Sequence, residues 1–327
     1  MSQVYRKGSA RFRNQPPQSK RPKAPSEGEE GRPTRDSPLH PRNLLRFLEL
    51  SPRKSMGQNF LIDSSILHGI VEAAEVEPGQ AVLEVGPGLG ALTRTLLDAG
   101  AHVWALEKDR GFAAHLTKVF AGEERIQIIE GDALLWDGQE MPEGPVRVIA
   151  NLPYNVAIPI LFRLIDLRPF QDFHIMVQKE VAERMQASPG ESAYGVLTVQ
   201  LGMRVRAETV LEVPPRSFYP VPKVSSAVVR LVPLEAPPAD MGNPRIFSRT
   251  VRAAFAARRK MLHNALLAGA FTRAAVDSAL ETTGIDGRRR GETLSLVEFC
   301  ALARALQAQN VPGDETDEAE TSTEDSP

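Results

Sequence analysis

The stretch Val146-Arg-Val-Ile-Ala-Asn-Leu-Pro-Tyr154 decides how this chain is read. Its first five residues form a short apolar run of the kind that predicts a buried strand, which leaves Asn151-Leu-Pro-Tyr154 at that strand's carboxyl end. Open α/β sheets bind their ligands at that end. The Asn151 amide, the Leu152 carbonyl held in an extended turn by Pro153, and the Tyr154 ring suit a flat heterocycle with an exocyclic amine. Oxygen atoms accept its N–H groups while the ring stacks on its face. Asn and Pro are also ordinary turn residues, so the tetrapeptide alone describes a strand-ending turn equally well.

The surroundings extend the pattern. Ala81–Val85, His102–Glu107, Ile126–Glu130 and Phe173–Gln178 also read as strands, with helical stretches near 91–99, 110–120 and 157–168. Such alternation predicts a parallel sheet with helices on both faces. Arg206–Val213 and Val224–Val232 read as an antiparallel pair added at one edge, because Pro214, Pro215, Pro220 and Pro222 forbid a helix between them. After a proline-rich linker from Pro233, residues 244–306 carry helical periodicity alone. The expected organisation is a basic disordered extension over 1–50, an α/β domain over 51–235, a small all-helical domain over 236–308 and an acidic disordered tail over 309–327.

The first strand runs into Glu84-Val-Gly-Pro-Gly-Leu-Gly90, where Gly86, Gly88 and Gly90 permit a tight turn and close approach of a ligand. Glu107 ends the second strand, placed to accept from ribose hydroxyls. A dinucleotide site has the same glycines and acid. Two details favour a nucleoside cofactor without a pyrophosphate, namely S-adenosylmethionine. Asp132 follows the third strand, where it can accept from an adenine amine or cap a helix, and the fourth strand ends in the amine-gripping tetrapeptide. Upstream, Gly57-Gln-Asn-Phe-Leu-Ile-Asp63 forms a polar–apolar hook before a helix that Asp63 or Ser64 could cap, with Asn59 able to reach the cofactor's polar end.

Composition bounds the rest. The chain has 327 residues, 42% hydrophobic and 24% charged, enough for one large core and a second small one. No window approaches the roughly 18–20 apolar residues of a membrane span, and the N-terminus has no signal-peptide core. Cys300 is the single cysteine, so no intrachain disulfide can form. The histidines show no metal spacing, and a cytoplasmic setting is expected. The net charge of −2 conceals an asymmetry: residues 1–50 hold eleven Lys and Arg against five acids, whereas 309–327 hold seven acids and neither base. A basic arm can touch RNA phosphates or simply keep the chain soluble.

Five ordered segments carry a resemblance: Gln58-Asn-Phe-Leu61, Glu84–Gly90, Asn151–Tyr154, Phe218-Tyr-Pro-Val-Pro-Lys-Val224 and Phe255-Ala-Ala-Arg-Arg-Lys-Met-Leu262. Over roughly 51–305 the chain resembles the KsgA/RsmA family of small-subunit ribosomal RNA adenine dimethyltransferases. The resemblance implies a Rossmann-like class I methyltransferase sheet plus a helical domain. It implies S-adenosylmethionine bound by the positions matching Asn59, Leu61, Gly86, Glu107, Asp132 and Asn151, with Gly88 in the same loop. It further implies dimethylation of two adjacent adenosines near the 3′ end of 16S rRNA. Phe218 is then expected to cover the face of a flipped base opposite Tyr154. The tails lie outside the match.

The basic residues Arg252, Arg258, Arg259 and Lys260, with Arg288-Arg-Arg290, concentrate charge on the helical domain, to contact RNA phosphate or form a solvated face. A near-neutral body points to recognition of RNA shape within a partly assembled small subunit by a monomer. Rival readings are a macrolide-resistance type methylase of large-subunit rRNA and a non-catalytic assembly factor, the latter opposed by the intact glycines, Glu107, Asp132 and Asn151. A protein-glutamine methylase is a third, disfavoured because Leu152 stands where a proline grips that amide.

Overall fold

A computed structural model of the chain describes residues 40–48 and 59–309. Nine strands follow in order: β1 (Phe60–Leu61), β2 (Ala81–Val85), β3 (His102–Glu107), β4 (Ile126–Glu130), β5 (Val146–Asn151), β6 (Asp172–Gln178), β7 (Val205–Val213), β8 (Phe218–Tyr219) and β9 (Ser226–Pro233). Seven build one sheet in the order β4-β3-β2-β5-β6-β9-β7, and β1 pairs with β8 in a separate two-stranded ribbon. Strands β2 to β6 are mutually parallel, while β9 runs antiparallel to both β6 and β7. The expected α/β sheet with an antiparallel pair at one edge is what forms.

Each face of the sheet carries its own core. Ile66, Leu67, Leu92, Leu96 and Leu116, from the helices Ser64–Ala73, Ala91–Asp98 and Arg110–Val119, pack on Val82, Val103 and Ile149. On the other face Ile160, Leu161 and Met185 pack on Val148, Phe173 and Ile175. Burial on both faces explains why β5 reads as a continuous apolar run rather than an alternating one. Sheet order reverses direction between β2 and β5, and this switch point opens a crevice at the strands' carboxyl ends.

Four helices, Pro244–Phe255, Leu262–Ala268, Arg273–Thr283 and Leu296–Ala308, form the expected helical domain around Val251, Leu266, Val276 and Phe299. Its core also takes Tyr194, Val199 and Met203 from before the linker. The Tyr194 hydroxyl donates to the Leu294 carbonyl at 2.8 Å. A boundary at 235 therefore divides the chain's path but not its packing.

One expectation is corrected here. Charge and prolines predict disorder over 1–50, yet Pro41–Phe47 is a helix with Leu45 buried. Its start is fixed by Pro41 at the first helical position and by the His40 ring, which accepts from the Arg42 N–H. Residues 1–39 and 310–327, with most of the basic arm and acidic tail, lie outside the described residues.

Candidate active site

The turn after β2 is built by glycine. Gly88 (φ +57°) and Gly90 (φ +83°) adopt left-handed backbone conformations, which cost other residues about 1–2 kcal/mol. Space is also short: a Cβ on Gly90 would lie 2.9 Å from Leu116 Cδ2, and one on Gly88 3.1 Å from Phe60 Cε1. The Gly88 N–H donates to Glu107 Oε2 at 3.0 Å, and Glu107 Oε1 accepts from the Asp109 N–H at 2.8 Å. Each Glu107 oxygen thus keeps an acceptor site for a ribose hydroxyl. Burial holds this carboxyl above the ordinary carboxylate range, against the opposing N–H donors of Asp109 and Gly88.

Glu84, at the end of β2, is 2% exposed and accepts from Thr93 Oγ1 at 2.6 Å. Burial pushes its pKa up to about 8, so it holds its proton near neutrality and releases it when a cation is brought alongside. In the sequence Glu84 stands simply as the first residue of the glycine motif. A carboxylate inside the apolar run Ala81–Val85 is itself a signal, because burying an ionised group without a partner is expensive.

At the tip of β5 the Asn151 Nδ2 donates to the backbone carbonyl of Asn59 at 3.1 Å. That bond assigns the two ends of the amide. Its nitrogen faces Asn59, and its oxygen remains as an acceptor. The Tyr154 hydroxyl bonds to Ser226 Oγ at 2.7 Å, joining the loop after β5 to the first residue of β9, and burial raises the phenol's pKa despite that bond. The hook and the Phe218–Val224 segment meet in the β1–β8 ribbon, where Phe60 pairs with Tyr219 and Leu61 with Phe218. Asp63 does not cap the next helix with its side chain; it accepts from Ser65 Oγ at 2.6 Å and Ser217 Oγ at 3.0 Å.

These parts enclose a cavity of about 780 Å³ at the switch point. Asn59, Leu61, Gly86, Gly88, Glu107, Asn151, Leu152, Pro153 and Tyr154 all line it, together with Glu84. Pro41 and Leu44 of the first helix also line it, a contribution that no motif in the sequence announced. The glycine turn beside two buried carboxylates fits a compact, cationic, ribose-bearing cofactor.

Two expected residues stand apart. Asp132 is not among the lining residues: Oδ2 meets Lys108 Nζ at 2.6 Å and Oδ1 accepts from the Leu134 N–H at 3.0 Å. The Lys108 bond, then the Leu134 N–H, hold its pKa below the usual range. Phe218 is also absent from the lining. It is 1% exposed and packs with Leu61, Ile66 and Val228, because pairing with β1 turns its ring into the core. A ring in that position does not cover a base held beside Tyr154.

On the helical domain, Arg252, Arg258, Arg259 and Lys260 are exposed, the last three in the turn that follows the helix rather than on it. Arg258 is drawn to Glu292 at 3.6 Å. Arg288, Arg289 and Arg290 are paired with Asp286, Glu298 and Glu292, so that cluster is largely neutralised. Among the described residues no group of His, Cys, Asp and Glu could hold a metal, and no helix is long and apolar enough to cross a membrane.

Sheet, glycine turn and the Asn151–Tyr154 strand end together define a Rossmann-like class I methyltransferase. Residues 50–307 match the family model described as ribosomal RNA adenine dimethylase. The ribosomal RNA small subunit methyltransferase A of Thiobacillus denitrificans is 44% identical over 257 residues, spanning 78% of this chain and 98% of its own. That of Laribacter hongkongensis is 46% identical over 254 residues, 77% of this chain and 95% of its own. Of solved structures, a dimethyladenosine transferase from Plasmodium falciparum superposes with a TM-score of 0.65 at 28% identity, covering 77% of this chain and 98% of that one. The 23S rRNA methyltransferase ErmE gives 0.57 at 27%, covering 76% and 99%. The chain belongs to the ribosomal RNA adenine dimethylase family.

Proposed function

We propose that this chain transfers methyl groups from S-adenosylmethionine to the exocyclic amines of two adjacent adenosines near the 3′ end of 16S rRNA. It acts as a cytoplasmic monomer on an immature small ribosomal subunit. The carrying observation is the fixed Asn151 amide, whose nitrogen is committed to Asn59 and whose oxygen is left to accept, beside a tyrosine anchored by Ser226. The identities of 44% and 46% to small-subunit enzymes, against 27% to ErmE, support the small subunit over the large.

S-adenosylmethionine, when bound, supplies a methyl group on a positively charged sulfur, already activated. The chain's own task is to prepare a poor nucleophile. An adenine amine shares its lone pair with the ring; acceptance of its hydrogens by Asn151 Oδ1 and the Leu152 carbonyl localises that pair on nitrogen. The nitrogen so held would take the methyl group as the C–S bond's electron pair left on sulfur, and the alkylated nitrogen would be acidic enough to lose its proton to water. Placement of this kind is worth up to roughly 7–11 kcal/mol in favourable systems. Tyr154 stacks on one base face, for about 1–3 kcal/mol.

Glu107 would take the ribose hydroxyls, and Glu84 would balance the cofactor's positive charge by releasing its proton to solvent. Asn59 and Leu61 close the polar end of the site, and Arg252, Arg258, Arg259 and Lys260 contact RNA phosphate. The test incubates the protein with radiolabelled cofactor and separate small- and large-subunit RNAs and particles, then maps modified bases. Label on adjacent adenosines of the small-subunit RNA is expected. Label on large-subunit RNA alone, or none, would overturn the reading.

A further inference from the structure

Residues 310–327 carry seven acids between Asp314 and Asp325 and neither Lys nor Arg. The family model ends at residue 307, so membership of the family says nothing of them. The fold does fix where they begin. Gln307 Oε1 accepts from the Asn243 N–H at 2.9 Å, and Gln309 Nε2 donates to Ser278 Oγ at 2.9 Å. The acidic segment therefore sets out beside Asn243, the cap of helix Pro244–Phe255.

That helix offers an acidic chain its complement. Arg245, Arg249 and Arg252, at spacings of four and three, fall on one face over roughly 10 Å of helix axis. They line a groove of about 650 Å³ that has no carboxylate among its lining residues. Like charges so spaced repel one another. Arg245 also stands in the first turn, where the helix dipole favours an anion, yet that turn holds no acid. Arg249 is held in place, its guanidinium 4.3 Å from the Phe271 ring centroid and bonded to the Gly269 and Ala270 carbonyls.

Arg259, Lys260 and Arg273 are likewise exposed and without an ion pair among the described residues, so lack of a partner does not single out the groove. Position and grouping do. Arg259 and Lys260 lie beyond the helix's far end, and Arg273 has Asp277 one turn along its own helix. The groove starts at Pro244 and Arg245, next to the Asn243 that meets Gln307. Asp314 follows Gln309 by five residues, a reach of about 17 Å when extended.

We propose that the acidic segment 310–327 folds back into this arginine groove and acts as an intramolecular brake that RNA must displace. The docking stands on charge and reach; the brake rests on the functional reading above, which gives Arg252 to RNA phosphate. A tether this short supplies a local concentration on the order of millimolar, so ion pairs that are individually weak suffice, and salt screens them.

The test places a nitroxide on Ser322→Cys in the full-length protein; Cys300, 1% exposed, stays unlabelled. Broadening of the Arg245, Arg249 and Arg252 backbone amide signals is expected at low salt. It should be relieved near 1 M potassium chloride, where the screening length falls to about 3 Å, and reduced several-fold by Arg245→Gln. Broadening that neither salt nor Arg245→Gln changes, or that centres on Arg259 and Lys260 or on the basic arm, overturns the docking. A second arm measures binding to a fluorescent small-subunit rRNA fragment. Replacing the seven acids by the matching amides should tighten binding several-fold, and by much less in the Arg245→Gln background. An equal gain in both backgrounds means that the acids merely repel RNA from a distance, and overturns the brake. Groove broadening in a protein that neither binds nor methylates this RNA upholds the docking and overturns the functional reading instead.

Discussion

Replacing Asn151 tests the chemistry at its narrowest point. The side chain does two things: its nitrogen donates 3.1 Å to the Asn59 carbonyl, and its oxygen remains as an acceptor. Asn151→Ala deletes both. Loss of one preorganised polar group at a reacting centre costs about 10²–10³-fold in rate, roughly 2.7–4 kcal/mol. Loss of the tether to Asn59 adds about 0.5–1.5 kcal/mol, part of which falls on cofactor affinity because Asn59 lines the cavity. Asn151→Asp is the sharper probe. It keeps an acceptor oxygen but sets a second one against the Asn59 carbonyl with no proton between them, so the side chain must protonate or turn away. Single-turnover transfer of labelled methyl groups should fall about a thousandfold in Asn151→Ala and by a comparable amount in Asn151→Asp at neutral pH. Cofactor affinity by calorimetry should fall no more than about tenfold, one hydrogen bond's worth. Wild-type turnover by Asn151→Ala removes the residue from the reaction, and wild-type turnover by Asn151→Asp shows that the Asn59 bond does not orient it.

Three further outcomes follow from the geometry. Gly90→Ala combines a left-handed backbone penalty of about 1–2 kcal/mol with overpacking of about 1–3 kcal/mol against Leu116 and Phe120. Gly122→Ala, at φ +86° with nothing within 4 Å, incurs only the first, and equal melting temperatures for the two variants would refute the packing argument. Because burial raises Glu84 from 4.5 to about 8, its contribution to stability is complete below its unfolded pKa and declines as pH rises through the folded one, at up to about 1.4 kcal/mol per pH unit. Glu84→Gln should therefore gain on wild type in melting temperature between pH 5 and 8.5; a pH-independent difference sinks the assignment. Ser226→Ala and Tyr154→Phe remove the same 2.7 Å bond, so their effects on methyl transfer should be no worse combined than singly, whereas additive losses would mean that Ser226 does not position the ring.

Much of this is legible because the parallel strands are short apolar runs, with β2 and β4 closed directly by glycine. The expected bounds of β2, β3 and β4 match the structure residue for residue, and β5 extends one residue further, to Asn151 itself. What the sequence hides is pairing between distant segments. Nothing local to Phe218-Tyr-Pro-Val-Pro-Lys-Val224 says that Phe218 faces Leu61 across a two-residue ribbon, so the base platform that the resemblance implies is a core residue here. The helix Pro41–Phe47 is hidden for a different reason: seven residues vanish in a composition averaged over fifty. The Arg288-Arg-Arg290 cluster is neutralised by Asp286 and Glu292, two residues to either side, and by Glu298 on the last helix, whose pairing with Arg289 is visible only in the fold.

The polar residues inside β5 and β6 bear on the site from the opposite end of the sheet. Arg147 pairs in register with Asp172, Nε to Oδ1 at 3.7 Å; Arg230 reaches the same carboxylate at 3.8 Å, and His174, 1% exposed, completes the group. Burial first, then Arg230 and Arg147, push the His174 pKa down to about 3, so the imidazole stays neutral and adds no third positive charge. Such a group gains little net stability, because desolvation offsets attraction. Its effect is positional. Arg147, Ile149 and Asn151 lie on one face of β5, since side chains alternate along a strand. A slip of one residue would drive Arg147 into the aliphatic core of Val148, Phe173 and Ile175 and turn Asn151 away from Asn59. Displacing the acceptor at the strand's tip therefore requires breaking the ion group at its base, which is how a tetrapeptide on the rim of the sheet acquires the rigidity its chemistry demands.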